Sequence, residues 1–373
     1  MKIGLDARTL GGRKTGDRTY WRGLIGGLAE IDSENEYFLL TREALADADT
    51  LDLPANFHYI TIQANSDRVW SLLSFGRALT AIGANLAHVQ YTVPPFLPCP
   101  CVTTVHDISF KLFPHLFSLK DRLLLNMSVP GSLRRADAVV TVSWSSRNDI
   151  LKAYPFVPPD KVFAARLAVG PEFKPMSATE QIARKDYLAQ RYKIDGDYVL
   201  SVGVLQPRKN LPMLIDAFLR ARSRAGFSHK LAIAGKIGWL SLETEKAIKS
   251  AGDSVLLLGY VPDDDLPLLY GCAELTVYPS IYEGFGLPVL EAMASGSPVI
   301  TGDNSSLPEV VGDAGILLSA QDRTSWEESL IRLIEDASLR SKLRMLGLER
   351  ASTFSWKETA RKTLEVYERV TSK

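Results

Sequence analysis

Short, almost wholly apolar runs alternate along the chain with longer segments in which apolar residues recur every three or four positions. The short runs have the length and composition of strands buried on both faces of a parallel sheet. They comprise residues 2–7, 37–41, 57–62, 86–91, 101–106 and 138–143 in the first half, and 198–203, 230–234, 254–259, 275–279 and 298–301 in the second. The longer segments predict helices, among them residues 19–30, 69–82 and 119–135.

The alternation of strands and helices runs once through the first half and restarts near residue 198. Such alternation over about 150 residues is typical of a doubly wound α/β domain. The sequence therefore predicts two of them, residues 1–175 and 176–354, joined by a Gly- and Pro-containing junction at 169–175. A terminal segment, 355–373, includes an amphipathic helix with Trp356, Ala360, Leu364 and Tyr367 on one side.

Composition excludes several classes of protein. The 43 Lys and Arg residues balance 43 Asp and Glu, so the chain lacks the positive charge that a nucleic-acid binder needs. The sequence has no apolar run of about 18 residues that would span a bilayer. Three cysteines are too few for a disulfide framework, and we expect no structural zinc at Cys99 and Cys101. Because the first residues also lack a signal-peptide pattern, we expect a cytoplasmic enzyme.

Three motifs of other kinds of site are absent or incomplete in this sequence. The glycines of residues 11–16 have the spacing of a phosphate-binding P-loop, but Asp17 and Arg18 stand where the essential Lys and Ser or Thr belong. No Gly-x-Gly-x-x-Gly follows the first predicted strand, which disfavours a dinucleotide-dependent dehydrogenase. An acidic triplet, residues 263–265, is interpreted as the start of a helix at 264–272 with an aspartate N-cap rather than as a metal site.

The most informative segment, residues 280–296, brings carboxylates and glycines to the end of a predicted strand. Pro288 suits the first turn of the helix that follows, and the N–H groups at a helix start attract anions. Glu283 and Glu291 would repel a phosphate, but they are good acceptors for sugar hydroxyls. A phosphate flanked by hydroxyl-rich groups describes a nucleotide sugar.

Two basic residues follow the first predicted strand of the second domain. Arg208 and Lys209 precede a helix that begins near Leu211, at the place where doubly wound domains bind ligands. Their positive groups can clamp a diphosphate. An Arg–Lys pair on a surface turn is more commonly just solvated, but its position after this strand favours a role in binding.

His106 lies at the predicted end of a strand in the first domain, beside Asp107. A lone histidine is commonly a hydrogen-bonded structural residue, whereas strand ends in such domains carry functional groups. Both interpretations of His106 stay open on the sequence alone.

Together these segments resemble the large family of retaining glycosyltransferases with two Rossmann-like domains, the GT-B fold, often called family 4. Residues 283–291, Glu-Gly-Phe-Gly-Leu-Pro-Val-Leu-Glu, match the family's Glu-x7-Glu motif. Other similar segments follow the family's order over nearly the whole chain: residues 1–8, the loop at Gly16, 106–107, 136–143, 202–210, 259–261 and 305–312.

The resemblance implies transfer of a hexose, mannose or glucose, from a GDP- or UDP-linked donor to a saccharide or lipid-linked saccharide. The donor would bind mainly to the second domain and the acceptor to the first, across a cleft, with the terminal helix crossing back to the first domain. Glu291 would bind the ribose and Glu283 a donor-sugar hydroxyl, while Arg208 and Lys209 would neutralise the diphosphate and His106 would lie near the sugar. The other implied donor-binding residues are Gly16, Val261 at the base, Gly284, and the backbone of Phe285, Gly286 and Leu287.

The implied mechanism needs no metal and no other cofactor. As the glycosidic bond breaks, negative charge grows on the diphosphate, and fixed cations and N–H dipoles stabilise that charge more in the transition state than in the ground state. Family members retain the anomeric configuration, so attack would come from the face that the leaving group leaves. Glu283 is accordingly not assigned as a covalent nucleophile.

Two short segments depart from the family pattern. The family's Gly-x-Gly-Arg-Tyr reads Gly-Asp-Arg-Thr-Tyr at residues 16–20, and its Gly-Arg reads Gly-Val at 203–204, with Arg208 as the substitute. Two alternatives therefore stay open: an epimerase or hydrolase of nucleotide sugars on the same fold, and a non-catalytic nucleotide-sugar-binding subunit.

Residues 111–120 are apolar and partly basic, but we expect them to pack within the protein and to contact a membrane at most peripherally. The oligomeric state is left open.

Overall fold

The computed structural model describes residues 1–11, 15–66, 69–239 and 241–372. Residues 12–14 of the rejected P-loop match therefore lie outside the described part of the chain. The chain divides into two compact units. The first unit comprises Met1–Leu112, Leu119–Ala168 and Ser355–Lys373, and the second comprises Phe113–Ser118 and Val169–Phe354.

The first unit is built on a parallel sheet of seven strands in the order β3-β2-β1-β4-β5-β6-β7. The strands are β1 (Lys2–Asp6), β2 (Glu36–Thr41), β3 (Phe57–Thr61), β4 (Leu86–Gln90), β5 (Cys101–Thr104), β6 (Ala138–Thr141) and β7 (Val162–Ala164). Its helices before the second unit are α1 (Gly16–Ile31), a π-helical turn (Trp70–Ser74) that leads into α2 (Phe75–Ile82), α3 (Ser109–Leu112), α4 (Leu119–Arg135) and α5 (Trp144–Ala153).

The second unit repeats this plan with six parallel strands in the order β10-β9-β8-β11-β12-β13. The strands are β8 (Tyr198–Val202), β9 (Lys230–Ala234), β10 (Val255–Gly259), β11 (Leu275–Tyr278), β12 (Val299–Gly302) and β13 (Ile316–Leu318). Its helices are α6 (Ala178–Tyr192), α7 (Leu211–Ala225), α8 (Leu242–Ala251), α9 (Leu266–Cys272), α10 (Leu287–Ala294), α11 (Leu307–Val311), α12 (Arg323–Glu335) and α13 (Ala337–Ser352). Short 3₁₀ turns occur at Asp47–Asp49, Pro114–Leu116, Pro159–Lys161, Pro207–Lys209 and Gly252–Ser254.

The predicted fold class, two doubly wound Rossmann-like units, is confirmed. The central strands of the second unit are apolar because successive residues, which point to opposite faces, are buried. On one face Val199, Leu231 and Ile300 pack with α7 and α12 in a single buried cluster. Every predicted strand exists, whereas the edge strands β7 and β13 were not predicted.

The boundary between the units differs from the predicted one at residue 175. The first unit ends at Ala168, and Phe113–Ser118, expected in the first domain, pack with the second. Aromatic contacts explain this placement, because the Phe113 ring lies 5.4 Å from that of Tyr282 and the Phe117 ring lies 6.0 Å from that of Trp239. Phe113 and Phe117 are thus half-buried in the protein, whereas Leu112 and Leu119 of the same segment are exposed, so the expectation that residues 111–120 pack inside holds only in part.

The strand order reverses once in each sheet, between β1 and β4 and between β8 and β11. At such a switch point the connections leave in opposite directions and open a crevice outside the carboxyl ends of the two strands. Residues 203–210 follow β8 and residues 279–286 follow β11, so both predicted site segments of the second unit lie at its switch point.

A last helix, α14 (Trp356–Thr371), returns to the first unit and packs on α1. A Cβ added to Gly23 would lie 2.0 Å from the Trp356 ring, and one added to Gly27 would lie 2.4 Å from the Trp356 carbonyl oxygen. The two glycines are four residues apart and so share one face of α1. Their missing side chains are what lets the two helices approach so closely.

A buried chain of hydrogen bonds also ties α14 to the sheet. The Tyr367 hydroxyl lies 2.6 Å from Nδ1 of His88, and Nε2 of His88 lies 2.7 Å from the Thr104 hydroxyl, which is 2.7 Å from the hydroxyl of Tyr20. Burial lowers the pKa of His88 to about 3, so its ring is neutral at physiological pH. A neutral imidazole has one donor and one acceptor nitrogen, and both have a partner here.

Candidate active site

The loop after β8 turns the two predicted cations toward the switch point. Residues Pro207–Lys209 form a single 3₁₀ turn, closed by a 2.9 Å hydrogen bond from Lys209 N–H to the carbonyl of Gln206. Asn210 follows in the left-handed conformation and begins α7, and its amide donates to the carbonyl of Ala320 at 2.7 Å. The turn is therefore held at both ends.

The loop after β11 is bonded directly to this turn. The backbone N–H of Ile281 donates to the carbonyl of Arg208 at 2.8 Å, and the hydroxyl oxygen of Ser280 lies 3.1 Å from the same carbonyl oxygen. From the other side, the Ser306 hydroxyl lies 2.9 and 2.7 Å from the carbonyl oxygens of Glu283 and Phe285, which share its one proton. These bonds fix the two loops as one rigid structure.

Glu283 is the centre of the site, and its side chain is almost entirely buried. Its Oε2 accepts from Nη1 of Arg208 at 2.6 Å. Its Oε1 accepts from Nζ of Lys209 at 2.6 Å, from the Ser280 hydroxyl at 2.5 Å and from the Tyr278 hydroxyl at 3.0 Å. The structure thus brings three of the four predicted catalytic residues into direct contact.

The electrostatics of this cluster keep Glu283 ionised. Burial by itself would raise the pKa of Glu283, but the adjacent Arg208 and Lys209 outweigh it and lower the pKa to about 2. Lys209 also bonds to the Tyr278 hydroxyl, and its ammonium lies 4.6 Å from the centre of the Tyr278 ring. Two cations and one carboxylate leave a local charge of +1, which favours an anionic ligand.

The predicted backbone donors lie at the start of α10. None of the described residues accepts a hydrogen bond from the N–H groups of Phe285, Gly286 or Leu287. Gly286 has φ 109°, and a Cβ there would lie 2.8 Å from Leu307, so glycine is required at this position. Such donors at a helix N-terminus attract phosphate. Gly284 lies in the same loop.

Glu291 and Val261 occupy separate positions in the second unit. Glu291 is buried in α10, where it accepts from the Tyr270 hydroxyl at 3.0 Å. Val261 is nearly buried, after β10, two strands away from β8. The roles assigned to these residues, the ribose and the base, stay predictions.

His106 and Gly16 both lie in the first unit. The strand that was expected to end at His106 ends at Thr104, so His106 belongs to the loop after β5, and Gly16 is the first residue of α1. The carboxylate of Asp107 caps the next turn, accepting from the N–H and hydroxyl of Ser109 at 2.8 and 2.5 Å. A different carboxylate, Asp17, approaches the His106 ring at 3.5 Å.

The helix predicted at 264–272 with an aspartate N-cap is α9, which begins at Leu266, so Asp265 is the aspartate at the N-cap position. It precedes α9, but its side chain makes no capping hydrogen bond. Its carboxylate instead accepts from the hydroxyls of Tyr187 and Tyr192 at 2.9 and 2.5 Å and from Arg191 at 2.9 Å. The acidic group therefore joins α6 to the start of α9.

Sequence reasoning missed the hydroxyl groups that complete the site. Tyr278 and Ser280 hold Glu283, and Ser305 accepts the N–H of Glu283 at 2.9 Å. Tyr278 lies near the end of an apolar strand, so the sequence pattern predicts a core residue at this position. Residues 305 and 306 were noticed only as part of a family segment, with no role.

The described residues lack two features that other kinds of site would need. No three of the His, Cys, Asp and Glu side chains described lie close enough together to hold a metal ion. No described helix combines the length and apolar character needed to cross a bilayer.

Comparison with known families places this site in a class of enzyme. The family described as Glycosyl transferases group 1 matches residues 187–348, and Glycosyltransferase Family 4 matches residues 19–169. O-antigen chain mannosyltransferase B of Escherichia coli is 36% identical over 272 residues, which cover 71% of this chain and 69% of the relative. The chain belongs to this glycosyltransferase family. It is a hexosyltransferase with the GT-B fold, as the sequence predicted.

A second relative is longer. Serotype-specific mannosyltransferase WbdA of Escherichia coli is 27% identical over 374 residues, covering 93% of this chain but only 44% of the relative. This chain thus spans less than half of that protein.

Solved structures agree on the fold over the whole chain. Sucrose-phosphate synthase from Thermosynechococcus elongatus matches with a TM-score of 0.77 at 22% identity, covering 100% of this chain and 99% of its own. Anabaena HepE in complex with UDP-glucose matches with a TM-score of 0.71 at 18% identity, with 99% of both chains covered.

Proposed function

We propose that this enzyme transfers a hexose, mannose before glucose, from a GDP- or UDP-linked donor to a saccharide or lipid-linked saccharide, with retention and without a metal. The observation that carries the proposal is the Arg208–Lys209–Glu283 cluster at the switch point of the second unit. The mannosyltransferase names of the relatives support mannose, and the HepE complex supports a nucleotide-diphosphate sugar. We propose a cytoplasmic setting, at most peripheral to a membrane.

The site suits a donor that is anionic at one end and rich in hydroxyls at the other. Arg208, Lys209 and the N–H groups at the start of α10 offer positive charge and donors to a diphosphate. Glu283 and Glu291 are acceptors for the hydroxyls of the sugar and the ribose. The positive donors and the carboxylate acceptors lie in the loops after β8 and β11 and in the helix α10 that follows. A nucleotide sugar would contact both kinds of group.

The cluster also favours a particular mechanism. Charge that develops on the departing diphosphate meets cations that are already fixed, so no reorganisation is needed as the bond breaks. Glu283 is held in place by hydrogen bonds from Arg208, Lys209, Tyr278 and Ser280. Such a carboxylate is a poor nucleophile and, with a pKa of about 2, a poor proton carrier. Glu283 therefore serves to hold the cations and to accept from a sugar hydroxyl.

Replacing Lys209 tests the proposal. In Lys209→Met the leaving diphosphate loses one of two fixed cations, and we expect kcat/KM for hexosyl transfer to fall about 100-fold or more. Transfer from GDP-mannose, UDP-glucose and related donors to mannosides is measured by product formation, with and without chelator. The anomeric configuration of the product is read by NMR.

Lys185→Met is the matched control. Lys185 is half-exposed in the same unit and pairs with Asp197 at 2.8 Å, so its loss removes one charge from a surface ion pair and should leave transfer unchanged. Wild-type turnover in Lys209→Met would contradict the assigned role. An inverted product or complete loss with chelator would refute retention or metal independence, respectively.

A further inference from the structure

A cavity of about 680 Å³ opens in the first unit, outside the carboxyl ends of β1, β2 and β4. It lies at the switch point between β1 and β4, where doubly wound domains bind ligands. Its volume falls within the roughly 300–1,000 Å³ of small-molecule sites. The proposed donor site involves none of the residues that line it.

Charges in the wall of this cavity occur as pairs. Arg8 makes two bonds to Asp6, at 2.8 and 2.7 Å, and its guanidinium lies 4.2 Å from the centre of the Trp70 ring. Arg42 bonds to Glu43 at 2.5 Å. Each arginine of the described wall therefore already has a carboxylate partner. Such pairs offer donors and acceptors side by side, which suits hydroxyl groups better than a ligand with its own negative charge.

Arg18 adds a third pair of the same kind. It stands where the family pattern has glycine, and its guanidinium bonds to Asp49 of the cavity wall at 2.9 Å and to the carbonyl of Leu10 at 2.9 Å. Arg18 does not itself line the cavity, but the departure from the family pattern at this position neutralises and holds a carboxylate that does.

Asp17 differs from the other carboxylates of the wall. It lies in the first turn of α1, its side chain is 45% exposed, and its Oδ1 lies 3.5 Å from Nε2 of His106. Gln90, which also lines the cavity, donates to the same His106 nitrogen at 3.0 Å. The ring of Tyr20 meets that of His106 edge-on, with centres 5.0 Å apart. Asp17 is thus accessible from the cavity and adjacent to a histidine held on several sides.

We infer that this cavity binds the terminal sugar of a neutral saccharide acceptor, and that Asp17 accepts a hydrogen bond from one of its hydroxyls beside His106. The inference rests on the proposed function and adds to it the chemical class of the acceptor and a residue that selects it. Asp17 positions the acceptor and transfers no proton. A phosphorylated sugar is disfavoured, because Asp17 would repel it and the two arginines in the described part of the wall are already paired.

Acceptor kinetics test this inference on the whole enzyme with saturating donor. The probes are methyl α-mannoside, an α-mannobioside, and the 6-phosphate of methyl α-mannoside. We expect Asp17→Ala to raise KM for the neutral acceptors about tenfold or more, with kcat changed less than threefold. Asp17→Asn keeps an acceptor oxygen and should restore part of the loss. The phosphorylated probe should be used poorly by the wild type and relatively better by both variants.

Donor-side measurements separate this inference from the proposed function. The rise in melting temperature on donor binding should be the same in the Asp17 variants and the wild type. The control Asp47→Asn removes an exposed carboxylate from the same unit, outside the cavity wall, and should leave all constants unchanged. An unchanged acceptor KM in Asp17→Ala, weakened donor binding in that variant, or a wild-type preference for the phosphorylated probe would overturn the inference. Failure of the proposed function would show instead as a wild type that neither binds nor uses any nucleotide sugar.

Discussion

Glu283 shows how a single buried carboxylate can organise a site. Burial of a charge is expensive unless opposite charges and hydrogen bonds compensate, and here Arg208, Lys209 and two hydroxyls do so. The same ion pairs fix Arg208 and Lys209 where a bound diphosphate would need positive charge. Because the partners come from two loops, the loss of any one of them affects the geometry of both.

The pKa of Glu283 predicts how stability depends on pH. Its folded value of about 2 lies below the ordinary 4.5, so the ionised form stabilises the fold. That contribution, about 3 kcal/mol, is fully present above roughly pH 4.5 and is lost as the pH falls toward 2. We therefore expect the difference in unfolding free energy between wild type and Glu283→Gln to be constant from pH 7 to 5 and to shrink by pH 3. Urea titrations at these three values measure it.

Glu365→Gln provides the comparison, since Glu365 is 57% exposed and its ion pair is solvated. Its difference from the wild type should be small at every pH. A Glu283→Gln difference that is as large at pH 3 as at pH 7 would contradict the assignment of an ionised, stabilising carboxylate.

Charged site residues could be predicted from the sequence, but their hydroxyl partners could not. Glu283, Arg208 and Lys209 stand in recognisable motifs directly after predicted strands. Charged residues at such positions are more often ligand-binding than core residues. Tyr278, Ser280 and Ser305 are common residue types whose partners are decided by how two distant loops meet. The approach of Asp17 to His106, instead of Asp107, likewise depends on the position of α1 relative to β5.

At the level of elements, the packing of α14 on α1 depends on two glycines. Gly27→Ala places a methyl group against the carbonyl of Trp356, and we expect it to destabilise the protein by about 2 kcal/mol. Gly26 is the matched control, because it lies in the same helix with no atom within 4 Å of an added Cβ. Gly26→Ala should be neutral or stabilise by up to about 1 kcal/mol. Urea or thermal unfolding compares the two, and equal effects would argue against close packing at Gly27.

Strands were predicted better than the ends of elements. Apolar runs identify buried strands such as β1 and β9 because parallel sheets are covered on both faces. The three-residue edge strands β7 and β13 are too short to show a pattern. His106 was taken as the end of a strand because Val105 continues the apolar run, although the ladder stops at Thr104. The helix predicted from residue 264 begins at Leu266, and the carboxylate of Asp265 just before it bonds to two tyrosines and an arginine of α6 instead of to the helix backbone.

On the scale of the whole molecule, the sequence predicted two similar units but not how the chain is shared between them. Residues 113–118 belong to the second unit, although the segments on both sides of them belong to the first. Aromatic contacts determine this placement, and hydrophobic periodicity gives no sign of it. The terminal helix was expected on the first unit from the family resemblance alone. Its amphipathic pattern predicts that one face of the helix is buried but does not identify the element on which that face packs.

This arrangement predicts unequal effects of truncation. In a chain that ends at Phe354, α14 is absent, and Gly23, Gly27 and His88 lose their partners. We expect amides of β1, β4 and β5 to lose protection from hydrogen exchange, while those of β8 and β11 keep it and donor binding persists. Exchange measured by mass spectrometry on truncated and intact chains checks this. Loss of protection throughout both units, or none in the first, would contradict it.

The return of α14 has a consequence for biosynthesis. Residues 1–168 leave the ribosome early but cannot close their fold, because the Trp356 side chain that fills the space over the two glycines is translated after the entire second unit. The nascent polypeptide must keep an incomplete apolar surface shielded during that delay, whereas residues 169–354 are continuous and can fold as they emerge. A pause or premature stop late in translation would therefore leave the early-made unit, not the late one, exposed to chaperones and proteases.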